Sequence, residues 1–184
     1  GLVSVFGEER FFPDTSLAVE YFEDSILETH KDKLDLPREI SLETFFKYKG
    51  IHEEHSQIIL NYLEKQDFHK GEKIISMGDT ERSMFLLVRG SVDVSMPLGG
   101  KRHKRLLTST YGSMFGEMSL IDGSPRSADI IAREFSTCFK LGITNFSKLK
   151  NDYPEIALNL YGVIASITSE KLRAANLTIS ELEE

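Results

Sequence analysis

The sequence predicts a mainly β domain of the α+β class, a series of short strands flanked by helices. Two observations carry this. Between Asp67 and Leu141, short apolar or alternating runs are separated by turn signals, the pattern of a sandwich or barrel. On either side, from Leu42 to Leu63 and from Ile156 to Leu172, apolar residues recur at helical spacing instead.

In chain order, Leu2-Val3-Ser4-Val5-Phe6 reads as a strand and Phe11 to Ser16 as a turn, with Asp14, Thr15 or Ser16 as the helix N-cap. Leu17, Val19 to Phe22 and Ile26-Leu27 then carry helical spacing. One strand and one helix bury no core alone. Residues 1–30 therefore read as the last βα unit of a domain that begins upstream, with an unrelated linker helix as the alternative; the start at Gly1 rather than Met agrees with a missing upstream part. The polar, proline-containing stretch over 31–41 reads as a linker. From Ser41 to Lys65 one or two helices are expected, broken at Gly50.

Strands are expected at Lys73 to Ser76, Ser83 to Val88, Ser91 to Ser95, from Leu106-Leu107, at Ser127 to Ala132 and at Ser136 to Leu141. Turns fall at Met77-Gly78-Asp79, Gly90, Pro97 to Gly100 and Tyr111-Gly112-Ser113. Thr144 to Leu149 is a short helix. Tyr153-Pro154 opens a longer one with Ile156, Leu160, Ile164, Ile167 and Leu172 on one face, and residues 176–184 are a polar tail.

Composition narrows the function. The 184 residues, 40% apolar and 28% charged, suit one soluble domain with an appendage. No run of about 18 apolar residues is present, and no signal peptide is visible, so a cytoplasmic location is expected, as a free protein or as the tail of a membrane protein. The single cysteine, Cys138, rules out an internal disulfide and a multi-cysteine metal site, and its alternating surroundings place it in the core. A formal charge of −7 is a poor match to nucleic acid. The basic cluster Lys101-Arg102-His103-Lys104-Arg105 reads as a solvated hairpin tip, with contact to an acidic partner or membrane surface as the alternative. His52-Glu53-Glu54-His55 lacks the spacing of a zinc helix and has no third ligand nearby; it reads as a solvated helix face, and no metal is expected. No nucleophile, base and orienter combine, so no enzyme is expected.

The most informative stretch is Phe115-Gly116-Glu117-Met118-Ser119-Leu120-Ile121-Asp122-Gly123-Ser124-Pro125-Arg126-Ser127-Ala128. A cyclic sugar phosphodiester needs what it offers. A guanidinium grips phosphate oxygens in pairs, a carboxylate accepts from a ribose hydroxyl, and small residues let the backbone close in. The segment resembles the phosphate-binding cassette of the cyclic nucleotide-binding domain family. Gly78-Asp79, Met84 to Leu87 and Gly90 are similar to that family's second signature, with Glu81 where a small residue is preferred. The resemblance spans residues 42–175. Since no helix-turn-helix follows, a complete transcription factor of the catabolite-activator type is not expected.

The resemblance implies an antiparallel β-roll (jelly-roll-like) of about eight strands between N-terminal and C-terminal helices. It implies that Arg126 pairs with the cyclic phosphate, that Glu117 accepts from the ribose 2′-hydroxyl, and that Gly116 and Met118 offer backbone groups beside Ser119 at a short helix N-terminus. Ser127 would reach the phosphate or a guanine amino group, and Ala128 would keep the backbone close. Val94 and Leu106 align with residues that pack on sugar and base, or are plain core. Ile164 and Thr168 align with the base-capping face of the last helix, or are core and solvent-facing or back-bonded, respectively.

Phe12, Asp14, Ala18, Glu23-Asp24 and Ile26-Leu27 are similar to the end of STAS domains, which precede such domains in some bacterial sulfate-permease-family transporters and glutaminases. The implied function is a regulatory domain that binds cAMP, in preference to cGMP, and passes a helix movement to a fused effector such as an anion transporter. A homodimer through the apolar last helix is a further expectation. The alternative is a ligand-free fold of the same family acting in protein–protein assembly. No cofactor beyond the nucleotide is implied.

Overall fold

The computed structural model describes Phe22, Ser25, Ile26 and residues 39–98 and 103–182. The chain divides into two units, 1–37 and 38–184, and the strands among the described residues belong to the second. The βα unit and STAS resemblance over residues 1–30 lie outside the described residues, apart from Phe22, Ser25 and Ile26, which are helical. Most of the expected linker, and residues 99–102, which include the end of the turn expected at Pro97 to Gly100, also lie outside them.

In the second unit, two short helices lead in: α1 (Leu42–Tyr48) and α2 (Glu53–Leu60). Ser41 caps α1 by accepting from the Thr44 N–H at 3.2 Å, and Gly50, at φ 78°, turns the chain out of it. Strands β1 (Glu64–Phe68), β2 (Lys73–Ile75), β3 (Ser83–Arg89), β4 (Ser91–Pro97), β5 (His103–Thr110) and β6 (Ser113–Phe115) come next. Helix α3 (Glu117–Asp122) then interrupts the strands before β7 (Asp129–Ala132) and β8 (Ser136–Gly142). Helices α4 (Ile143–Asp152) and α5 (Pro154–Leu182) close the chain. The strands pair antiparallel into two four-stranded sheets, β1-β8-β3-β6 and β2-β7-β4-β5. This is the antiparallel roll with flanking helices that the sequence predicts.

Two cores hold it. Phe45, Phe46, Ile59, Phe146, Leu149 and Leu160 pack the helices onto one face of the roll. Phe85, Leu87, Val92, Phe115, Ile130 and Cys138 fill the roll itself. Strand β3 serves both: Met84, Leu86 and Val88 point to the helices, Phe85 and Leu87 to the interior. Burial on both faces is why this strand reads as a continuous apolar run rather than an alternating one.

Several boundaries differ from the expectation. Glu64 to Phe68, mostly charged and assigned to the helix end or left open, form β1, which pairs with β8 along its whole length. Ser113, expected in a turn, opens β6, and β5 begins at His103 rather than Leu106. Helix α5 runs on to Leu182 because nothing after Ala175 breaks it; Gly and Pro are absent there. Leu172, expected on the buried face, is 62% exposed. The buried series Ile156, Leu160, Ile164 ends at Ile167, and its face points next to position 171, about 100° around the helix from Leu172.

Candidate functional site

The segment from Phe115 to Ala128 sits at the junction of the two sheets, between β6 and β7. Gly116 turns the chain from β6 into α3 at φ 75°. A Cβ there would lie 2.7 Å from Arg126 Nη1 and 3.0 Å from Ile75 Cδ1, so conformation and space both require glycine. Gly123 ends α3 at φ 73°. Asp122 accepts from the Ser124 N–H at 2.8 Å, which holds its carboxyl below the usual carboxylate range.

The β2–β3 turn clamps this segment. Arg126 N–H donates to the Asp79 carbonyl at 2.8 Å, and Gly78 N–H donates to the Arg126 carbonyl at 2.9 Å. Arg82 donates from Nε to the Ser119 carbonyl and from Nη2 to that of Leu120, at 3.2 and 3.0 Å, satisfying carbonyls at the end of α3. Ser119 Oγ contacts the Gly116 and Glu81 carbonyls at 3.3 and 3.4 Å. Asp129, at the segment's exit, accepts from Met77 N–H at 2.7 Å and from Lys73 Nζ at 2.8 Å. The Gly78-Asp79 turn is therefore the structural partner of the cassette.

Arg126 is not the exposed loop residue that its neighbours suggest. It is 5% exposed, while Ser124, Pro125 and Ser127 around it are exposed. Nη1 donates to the Ser83 and Gly116 carbonyls, and Nη2 to the Ser83 hydroxyl, each at 2.7 Å. Burial pulls the guanidinium below its ordinary range, opposed by Glu81, Asp79 and Glu117. Among the described residues, these bonds use three of the five N–H groups of a guanidinium. The pair left over, Nε–H and the second Nη2–H, is the side edge that matches two oxygens of one phosphate.

Glu117 is also buried, at 3% exposure. Its Oε1 accepts from Lys171 Nζ at 2.9 Å, and the same ammonium donates to the Met114 carbonyl at 2.9 Å. Lys171 belongs to no sequence motif and was not among the expected site residues. The signal for it is positional: it lies four residues after Ile167, on the helix face whose earlier residues are buried.

The other candidates divide. Met118 lies in the first turn of α3 with its side chain exposed, where the backbone N–H groups have no partner within the helix. Ala128 is buried. Val94 is partly buried against the roll's core. Leu106, 48% exposed, belongs to neither core, which removes the core alternative for it. Ile164 and Thr168 take the core and back-bonded arrangements given for them as alternatives. Ile164 is buried in the helix-side core, and Thr168 Oγ1 donates back to the Ile164 carbonyl at 2.9 Å.

Cys138 is fully buried, and desolvation pushes its thiol up to about 12. His52 and His55 sit edge to face, 6.1 Å between ring centroids; among the described residues no group of three or more His, Cys, Asp or Glu is placed to hold a metal ion. No helix among the described residues is long and apolar enough to cross a membrane.

Residues 65–153 match the family described as cyclic nucleotide-binding domain. This region is a cyclic nucleotide-binding domain. The match is narrower than the 42–175 expected, although the lead-in and closing helices share the domain's core. The chain is 27% identical to Glutaminase 1 of Bradyrhizobium diazoefficiens over 165 residues, 90% of this chain and 26% of that protein. It is 28% identical to the cyclic AMP receptor protein of Thermus thermophilus over 135 residues, 73% of this chain and 61% of that one. The domain's fold is that of a cyclic nucleotide-binding domain from Methylobacillus flagellatus, with a TM-score of 0.66, 22% identity and coverage of 89% and 85% of the two chains. The chain thus spans about a quarter of the length of the glutaminase and less than two thirds of the receptor protein.

Proposed function

We propose that this domain is a regulatory module that binds a cyclic nucleotide, cAMP in preference to cGMP, and acts as a switch rather than a catalyst. One observation carries the reading: Arg126 is fixed through one edge by Ser83 and Gly116, with its phosphate-matching edge left over. Such a guanidinium is already oriented when the ligand arrives, so little ordering is lost on binding. Glu117, buried at the start of α3, accepts from the ribose 2′-hydroxyl. The first-turn N–H groups at Met118 and Ser119 face the phosphate, and Ser127 and Leu106 line the exposed rim. A ligand favouring one position of α5 shifts the helix population.

In this proposal the effector is fused upstream. The match to Glutaminase 1 runs over 165 residues, beyond the domain itself, which favours a glutaminase-like parent over an anion transporter. The upstream residues then belong to a STAS-like segment, the site of action is cytoplasmic, and α5 pairs with a second copy through its exposed Leu158, Leu172 and Leu177.

A specific observation also favours a second reading, a fold that binds no nucleotide: Arg126 and Glu117 both already have protein partners. Calorimetric titration with cAMP and cGMP separates the two. Saturable heat at one ligand per chain supports the regulatory reading. No heat with either nucleotide at millimolar concentration leaves the assembly module.

A further inference from the structure

Lys171 lies 54 residues from Glu117 in sequence, yet its ammonium joins three elements. It donates to Met114 in β6 and to Glu117 at the start of α3, and it stands on α5. The two partners differ in environment: the Glu117 side chain is 4% exposed and that of Lys171 44%. The carboxylate is thus held inside the fold while the lysine reaches it from the surface. Lys171 follows Ile167 by four residues on the same face of α5, just past the last buried residue, so packing at Ile164 and Ile167 fixes where its stem begins.

A carboxylate has about four acceptor positions, and a lysine at one oxygen leaves room for a hydroxyl donor. An ammonium anchored at the same time to a backbone carbonyl holds that carboxylate in one orientation. From this we infer that Lys171 is a positioning residue for the sugar end of the site. It aims Glu117 at a vicinal ribose hydroxyl and ties that contact to α5. This rests on the nucleotide-binding function proposed above. The ligand class is then a cyclic ribonucleotide in particular. A 2′-deoxy analogue, equal in phosphate and base, lacks the group that Glu117 reads.

The test is titration of the whole chain with cAMP and with 2′-deoxy-cAMP. The wild type should prefer cAMP by about tenfold or more, the value of one hydrogen bond to a charged group. Lys171→Met should bind cAMP more weakly and lose most of that preference, while its affinity for the deoxy analogue stays close to wild type. Lys171→Arg, which keeps a donor cation, should regain part of the preference. A purely structural lysine would weaken both ligands alike. An unchanged preference in Lys171→Met, equal weakening of both ligands, or tighter cAMP binding would overturn the inference while leaving the nucleotide-binding reading intact. A wild type that binds neither nucleotide would overturn both.

Discussion

Arg126 and Ser83 are joined twice, by Nη1 to the Ser83 carbonyl oxygen and by Nη2 to its hydroxyl, each at 2.7 Å. Ser83 is itself fully buried at the start of β3. The arginine of the cassette is therefore part of the fold as well as a candidate ligand contact. Arg126→Ala should lower stability by about 1–3 kcal/mol, because buried acceptors lose their donor, and should weaken nucleotide binding by about 2–5 kcal/mol. Urea unfolding and calorimetry on the same sample separate the two losses. Ser83→Ala removes one of the two bonds and should cost about 1 kcal/mol of stability.

Gly116→Ala should be more damaging than its size suggests. The position needs φ 75°, and the added methyl would meet Arg126 Nη1 at 2.7 Å. The conformational cost alone is about 1–2 kcal/mol, and the displaced guanidinium should lose its phosphate-facing orientation. Both a lower melting temperature and weaker binding are expected. A variant equal to wild type in both would show that the β6–α3 turn can rearrange.

The cassette was legible because its residues are consecutive: a glycine, a carboxylate, a short apolar turn and a Pro-Arg pair. Strand β3 was legible as an apolar run. What stayed hidden was long-range. Buried Arg126 bonds to Ser83, 43 residues away, and the partner of Glu117 lies 54 residues away on α5. Strand β1 was hidden because Glu64-Lys65-Gln66-Asp67 has no alternation to read; pairing with β8 makes it a strand. Ile164 and Thr168 lie together on one helical face as their spacing requires, but packing of α5 against α4 and the roll decides that this face is core.

The last helix gives a direct contrast. Ile164→Ala should cost about 2–5 kcal/mol of stability, as for a buried aliphatic side chain. Thr168→Ala should change stability by less than about 1 kcal/mol, since its hydroxyl only bonds back to its own helix. Denaturant unfolding of the two variants checks this. A large loss of nucleotide affinity in Thr168→Ala at unchanged stability would place that residue in the site.

Cys138 makes stability depend on alkaline pH. Both folded and unfolded chains hold the thiol proton below pH 9; above it the unfolded thiol ionises, while the buried one resists until about 12. The unfolded state then binds fewer protons, so stability falls as pH rises through this window, by up to about 1.4 kcal/mol per unit. In Cys138→Ala this contribution disappears. The stability difference between wild type and variant should shrink from about pH 8 to about pH 11 in urea titrations. A constant difference would mean that the thiol ionises in place.

Amide hydrogen exchange with and without saturating cAMP reads the cassette and the last helix in one experiment. Nucleotide binding with a shift of α5 should give slower exchange in residues 116–128 and in the α5 stretch over residues 164–171, with little change in β1, which lies at the sheet edge beside β8. Equal exchange in the cassette with and without nucleotide would contradict binding at this site. Protection of the cassette without any change in α5 would contradict the switch.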